Sequence, residues 1–176
     1  MMVEPVSVVP YDPVWPHLFA LERSRVDAVA GPWVETVEHI GSTAVPGLDA
    51  KPVVDLLVGV RNIRDADHCV RPLESIGYSF WAENPNIDHH RLFVRFVDAG
   101  MTSRTHNLHI VETGSAYRED RLVFRDYLRT HPETAGEYAR LKYDLAERFR
   151  DDRETYTRAK TDFVSAVVGR AKALRG

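Results

Sequence analysis

The chain has 176 residues, 44% of them apolar and 28% charged, with a net charge of −3. That length suits one domain with a proper core, and the charge gives no global argument for nucleic acid or an anionic membrane, although a local basic cleft stays open. The single cysteine, Cys69, excludes an internal disulfide; with no basic-apolar leader and no apolar run near the roughly 20 residues of a spanning helix, the chain is expected to be cytoplasmic.

Residues 1–10, with Pro5 and Pro10, read as extended surface or sheet edge. Asp12-Pro13 reads as a helix start capped by Asp12. Trp15, Leu18, Phe19, Leu21, Val26 and Val29 then recur near helical spacing as far as Gly31-Pro32. Val34 to Ile40 alternates apolar and polar residues, the period of a half-buried strand. Gly41-Ser42-Thr43 breaks the alternation, and Pro46-Gly47 adds a turn. Val53 to Val60 is almost wholly apolar and reads as a central strand. Its one ionisable residue is Asp55, and a buried carboxylate is costly unless it is paired, hydrogen-bonded or holding a metal.

These parts carry a chemical expectation. A Gly-Ser turn at a strand end can present backbone N–H groups and a hydroxyl to an anion. An Asp on the neighbouring strand, facing the same rim, can bind Mg²⁺. A phosphate cradle beside a metal carboxylate is the minimum equipment for phosphoryl or nucleotidyl transfer. The plainer alternative is an ordinary turn and a locally paired Asp55.

Further on, Asp65 to Ile76 reads as a helix with Pro72 inside it, and Tyr78 to Trp81 as a short strand. A polar loop spans Glu83 to Asp88. Arg91 to Val97 and Thr105 to Val111 read as a hairpin turning at Asp98-Ala99-Gly100. Everything after Gly114 reads as helical: Tyr117 to Arg129, a helix from Pro132 carrying Tyr138, Leu141, Leu145 and Phe149 on one stripe, and a last helix from about Asp151 to Leu174. Strands first and helices afterwards predict α+β, or a mixed sheet with a helical flank. On the strand 105–111, Asn107 and His109 share a face, expected to be the face of Asp55, with Leu108 and Ile110 turned to the core. Arg91 and Arg95 also share a face, either over an anionic substrate or in solvent. Asp88-His89-His90 reads as a solvated turn, Arg104 as exposed and Cys69 as a packing residue.

The run Gly41-Ser42-Thr43-Ala44-Val45-Pro46-Gly47-Leu48-Asp49-Ala50-Lys51-Pro52-Val53-Val54-Asp55 closely resembles the signature of the GrpB (UPF0157-like) family. Matches run from Tyr11-Asp12-Pro13-x-Trp15 to Tyr156-x-x-x-Lys160, nearly the whole chain. The resemblance implies one domain over residues 1–176 with a nucleotidyltransferase-like mixed β-sheet, flanked by helices, and a C-terminal helical portion packed on it. It implies a transferase acting on a nucleotide or other phosphate-bearing small molecule. In that scheme Asp55 binds Mg²⁺ or acts as base, and His109 serves as metal ligand or general base. Gly41, Ser42 and Thr43 would hold phosphate, and Lys51, Arg91, Asn107, Lys142 and Lys160 would contact the ligand.

Each residue has a plainer reading. His109 can be a hydrogen-bonded strand residue, Lys51 can snorkel from the sheet rim, and His39 can point to either face. Tyr138-x-x-x-Lys142 and Tyr156-x-x-x-Lys160 can each be a buried tyrosine covered by a lysine stem. The family typically shows His-Leu-His where this chain has Asn107-Leu108-His109. The superfamily follows its first strand carboxylate with a second two residues on, and here that position is Leu57. The alternative is therefore a non-catalytic domain that binds a nucleotide or CoA-like ligand, in keeping with the family's occurrence behind dephospho-CoA kinase.

Overall fold

Helix α1 (Trp15–Ala30) precedes strands β1 (Thr36–Ile40) and β2 (Val54–Val60), which flank the Gly-Ser turn. Helix α2 (Asp65–Ser75), the short β3 (Tyr78–Phe80), β4 (Arg91–Phe96) and β5 (Arg104–Glu112) follow. Four helices close the chain: α3 (Ala116–Thr130), α4 (Pro132–Arg148), α5 (Arg153–Arg158) and α6 (Thr161–Ala173). The structure is a computed structural model that describes residues 5–84, 87–97 and 103–175. The turn expected at Asp98-Ala99-Gly100 and the Pro85-Asn86 part of the polar loop lie outside those residues.

The strands form one sheet in the order β1-β2-β5-β4-β3. β2 and β5 run parallel at its centre, and the other neighbours are antiparallel, so the sheet is mixed as expected. Strand periodicity decides what each face carries. Leu56, Val58, Leu108, Ile110 and Phe93 pack with Val26, Ala66, Cys69 and Leu73 against α1 and α2. The opposite face carries Leu57, Ile40 and Val111 against Tyr117 and Leu122 of α3. Beyond it, α3, α4 and α6 share their own core of Phe124, Leu128, Tyr138 and Val167 with Val45 and Leu48. Among the described residues no helix is long and apolar enough to cross a membrane.

Register corrects one expectation. Arg91 pairs with Ile110 and Arg95 with His106, which turns both guanidiniums to the α1–α2 face. Arg91 there meets Asp67 at 3.1 Å, and Arg95 meets the buried Glu22 at 2.7 Å. Arg91 is therefore not a ligand contact on the Asp55 face. The expected last helix is broken at Ala159-Lys160, giving α5 and α6. Asp12 stands just outside α1: its Oδ1 accepts from the Val14 amide at 2.9 Å, and the helix begins at Trp15.

Candidate functional site

The parallel pairing of β2 with β5 sets Asp55 opposite Asn107 and Leu57 opposite His109. All four side chains share the face covered by the C-terminal helices. Asn107 Nδ2 donates to Asp55 Oδ1 at 2.8 Å, and His109 Nε2 lies 3.7 Å from the same oxygen. The Asp55 side chain keeps 25% of its surface exposed, so a ligand can reach it. Burial pushes its carboxyl up, but His109, the Asn107 amide and the Lys160 ammonium outweigh that, holding its pKa below the ordinary value.

Gly41 ends β1 beside this carboxylate. Its φ of 75° with ψ of −175° is a conformation that essentially only glycine adopts. A Cβ there would lie 2.5 Å from Asp55 Oδ2. Ser42–Ala44 then form one 3₁₀ turn. Burial raises the pKa of the Tyr138 hydroxyl from α4, and Arg121 and the nearby Ser42 side chain act against that rise. Thr43, expected to touch phosphate, is turned inward: its hydroxyl lies 2.9 Å from His39 Nε2 and donates to the Val53 carbonyl at 3.4 Å. His39 stacks on Phe19 on the α1 side of the sheet, and burial pushes its pKa down to about 4. From α3, Arg125 donates to the His39 carbonyl at 3.0 Å and Arg129 to the Ala44 carbonyl at 2.9 Å, which fixes the turn from outside.

Among the described residues the other charged groups around Asp55 and His109 are cationic. Lys51, Lys160, Arg104 and Arg153 come from four separate segments; Lys51 and Arg153 each lie within electrostatic reach of the other three. Among the described residues Asp55 is the carboxylate whose charge offsets Lys51, Lys160 and Arg104. Burial, followed by the charges of Arg153, Lys160 and Arg104, pushes Lys51 down to about 7. Burial brings Lys160 down to about 8, with Arg121 and Arg153 acting against the pull of Asp55. Lys160 stands 4.3 Å and Lys51 5.8 Å from the centroid of the Tyr156 ring. Lys142 differs. It is buried, donates to the Asp49 carbonyl and sits 4.8 Å from the Tyr138 ring, so it braces the loop that carries Asp49. Burial, then the charge of Lys160, pushes it down to about 7.

Sequence reasoning missed Arg104, Arg153 and His90. Arg104 Nε and Asn107 Oδ1 are buried and have no hydrogen-bond partner among the described residues. His90 lies beside His109, not in a solvated turn, its Nε2 2.9 Å from His109 Nδ1. A cluster of one lysine and two arginines brought together from residues 51, 104 and 153 leaves no local pattern to read. A half-buried ring at 90 could have been suspected only from its placement one residue before a strand.

The donor set does not suit the magnesium ion that the fold family implies. Asp55 Oδ1 is already engaged by Asn107 and faces His109, and the next charged neighbours are cations. Among the described residues no group of three or more His, Cys, Asp or Glu side chains is placed to hold a metal. Leu57, where a second carboxylate would stand, is fully buried against Ile40, Val111, Tyr117 and Leu122. Leu57→Asp is accordingly expected to cost at least about 3 kcal/mol, since it removes a core side chain and buries a charge without a partner. Urea denaturation should show that loss, and added Mg²⁺ should not recover it.

A family model described as GrpB protein matches residues 5–170. A UPF0157 protein of Pseudomonas aeruginosa is 45% identical over 169 residues, covering 96% of this chain and 68% of that protein. The crystal structure of conserved protein GrpB from Enterococcus faecalis superposes with a TM-score of 0.84 at 32% identity, over 94% of this chain and 96% of that one. The Cid1 poly(U) polymerase, solved with MgGTP bound, gives a TM-score of 0.54 at 16% identity over 80% of this chain and 45% of that one. The last likeness is one of fold: a distant nucleotidyltransferase-like sheet with helices.

Proposed function

The chain belongs to the GrpB family, and we propose that its cleft binds a phosphate-bearing small molecule, such as a nucleotide, and transfers a group from it with Asp55 as general base. The observation that carries this reading is the gathering of Lys51, Lys160 and Arg104 around one reachable carboxylate, with Arg153 beside these three cations. Cations held close together in a partly buried place repel one another, and an anionic ligand relieves that repulsion. Arg104 Nε, buried without a partner among the described residues, is a donor that a phosphate oxygen would satisfy.

The chemistry follows from the positions. Asp55 Oδ2 packs against Gly41, which leaves that oxygen room because it carries no Cβ. The carboxylate takes the proton of an acceptor hydroxyl as that oxygen bonds to phosphorus. The phosphorus–oxygen bond to the leaving group breaks, and the departing oxygen keeps the electron pair. Lys160, with its pKa pushed down to about 8, is suited to neutralise or protonate that oxygen near neutral pH. The cationic side chains here carry the charge neutralisation that metal ions supply elsewhere. Leu57 favours a second reading, in which the cleft holds the ligand without turnover.

Titration calorimetry with pyrophosphate and ATP, in EDTA and in Mg²⁺, tests the reading. Binding in EDTA is the expected result. A bound polyanion restores the charge of lysines that are partly neutral when free, so binding at pH 8 should take up protons. At pH 6 the same lysines are already charged, and the uptake should vanish. Buffers of different ionisation enthalpy read the difference. No binding of either anion in any of these conditions would sink the proposal. Phosphorus NMR of bound ATP with added alcohols separates the two readings: an unchanged spectrum leaves only the holding role.

A further inference from the structure

The hydrogen bonds of the site extend to a ring that the reaction above does not use. His90 stands one residue before β4, and Asn84 Nδ2 donates to its carbonyl at 2.9 Å. Its Nε2 is 2.9 Å from His109 Nδ1, and the two rings are 5.1 Å apart and 15° from parallel. Tyr117 packs on the same ring at 4.9 Å, and the Arg121 guanidinium lies 4.7 Å over Tyr117. The Tyr117 hydroxyl also approaches His109 Nδ1, at 3.5 Å. The result is a layered stack that leaves His109 little freedom to rotate.

The direction of the His90–His109 hydrogen bond can be argued from donor and acceptor chemistry and from the 3.7 Å contact of His109 with Asp55. An ionised Asp55 only accepts, so the contact from His109 Nε2 is favourable only if that nitrogen carries hydrogen. A neutral His109 then has its lone pair on Nδ1 and needs a donor there. His90 Nε2 is the atom within hydrogen-bonding distance, with the Tyr117 hydroxyl as a longer second.

We propose that His90 is a positioning residue: its Nε2–H donates to His109 Nδ1 and so holds the His109 tautomer whose Nε2–H supports Asp55. The chain of contacts is His90 to His109 to Asp55, and it rests on the reading of Asp55 as the group that meets the ligand. Burial beside His109, Arg121 and Arg91 pushes the His90 pKa down to about 3, so the donor is the neutral ring. Such an outer hydrogen bond fixes which ring nitrogen carries the proton.

The test reads the tautomer directly on ligand-free protein at pH 8, by nitrogen NMR with ¹⁵N-labelled histidine, His109 being assigned by its loss in His109→Gln. The wild type should show hydrogen on Nε2 alone. His90→Gln retains a donor and should keep that state. His90→Phe keeps an aromatic ring in the stack but offers no donor, and the His109 signal should move to a mixture of tautomers. Hydrogen on Nδ1, or on both nitrogens, in the wild type would overturn the inference, and that measurement needs no variant to fold. An unchanged His109 in a folded His90→Phe would overturn it as well. Phosphate binding plays no part in the readout, so a failure here is distinct from a failure of the proposed function.

Discussion

Asp55→Asn is expected to tighten pyrophosphate binding in EDTA by about tenfold, although it alters the central residue of the site. The carboxylate is held ionised by His109, Asn107 and Lys160. It therefore repels the ligand that the surrounding cations attract. Two unit charges about 6 Å apart interact by roughly 3 kcal/mol at an effective dielectric of ~20. Screening through the open side of the cleft reduces this, and about 1.4 kcal/mol of relief corresponds to the tenfold gain. Asn keeps the shape, and its carbonyl can still accept from Asn107. If Asp55 instead carried magnesium for the ligand, the same variant would lose affinity, and the loss would appear only with Mg²⁺ present. Calorimetry on the two proteins, with and without the ion, gives opposite signs for the two schemes. Any group transfer found for the wild type should fall about 10²–10⁴-fold in Asp55→Asn, the usual range for a lost general base. Weaker binding in EDTA would remove Asp55 from the role given to it here.

Much of this site is legible from the chain because strand periodicity is a rigid rule. Once β2 and β5 are recognised, a period of two places Asn107 and His109 on one face, and the apolar residues between them show which face is the core. The structure sets Asp55, Asn107 and His109 together on that face. The Gly41-Ser42 turn is legible for the same reason: two small residues interrupt an alternating strand. Arg91 was misplaced because its face depends on the register between β4 and β5, and its neutralising partner, Asp67, lies on another element. Thr43 was misplaced because its hydroxyl is engaged by His39, whose side of the strand no local pattern declares. The cations Arg104 and Arg153 could not be grouped from sequence, since only the tertiary fold brings them near Lys51. Nor does any proline or glycine mark the break between α5 and α6, at which Lys160 stands.

That break gives the other large effect, a contrast between two lysines that look alike in sequence. Each follows a tyrosine by four residues, and each lies against that ring. Lys160 is close enough to Asp55 to help hold it ionised, whereas the Lys142 ammonium is already engaged by the Asp49 carbonyl. Lys160→Met keeps the stem that covers Tyr156 and removes only the charge. A charge-assisted hydrogen bond to phosphate contributes about 1.5–3 kcal/mol, so pyrophosphate affinity at pH 7 should fall roughly 10- to 150-fold. The residual binding should depend less on salt, because one cation fewer meets the anion. Lys142→Met should leave the Asp49 carbonyl without its donor and lower stability by about 1–3 kcal/mol, less whatever is regained by no longer burying an ammonium. Its effect on affinity should stay within a few fold. Calorimetry and urea denaturation on the two variants therefore separate a lysine that meets the ligand from one that braces the loop carrying Asp49. Equal losses of affinity would mean that the broken helix does not single out Lys160, and the cationic cluster would have to be redrawn around both.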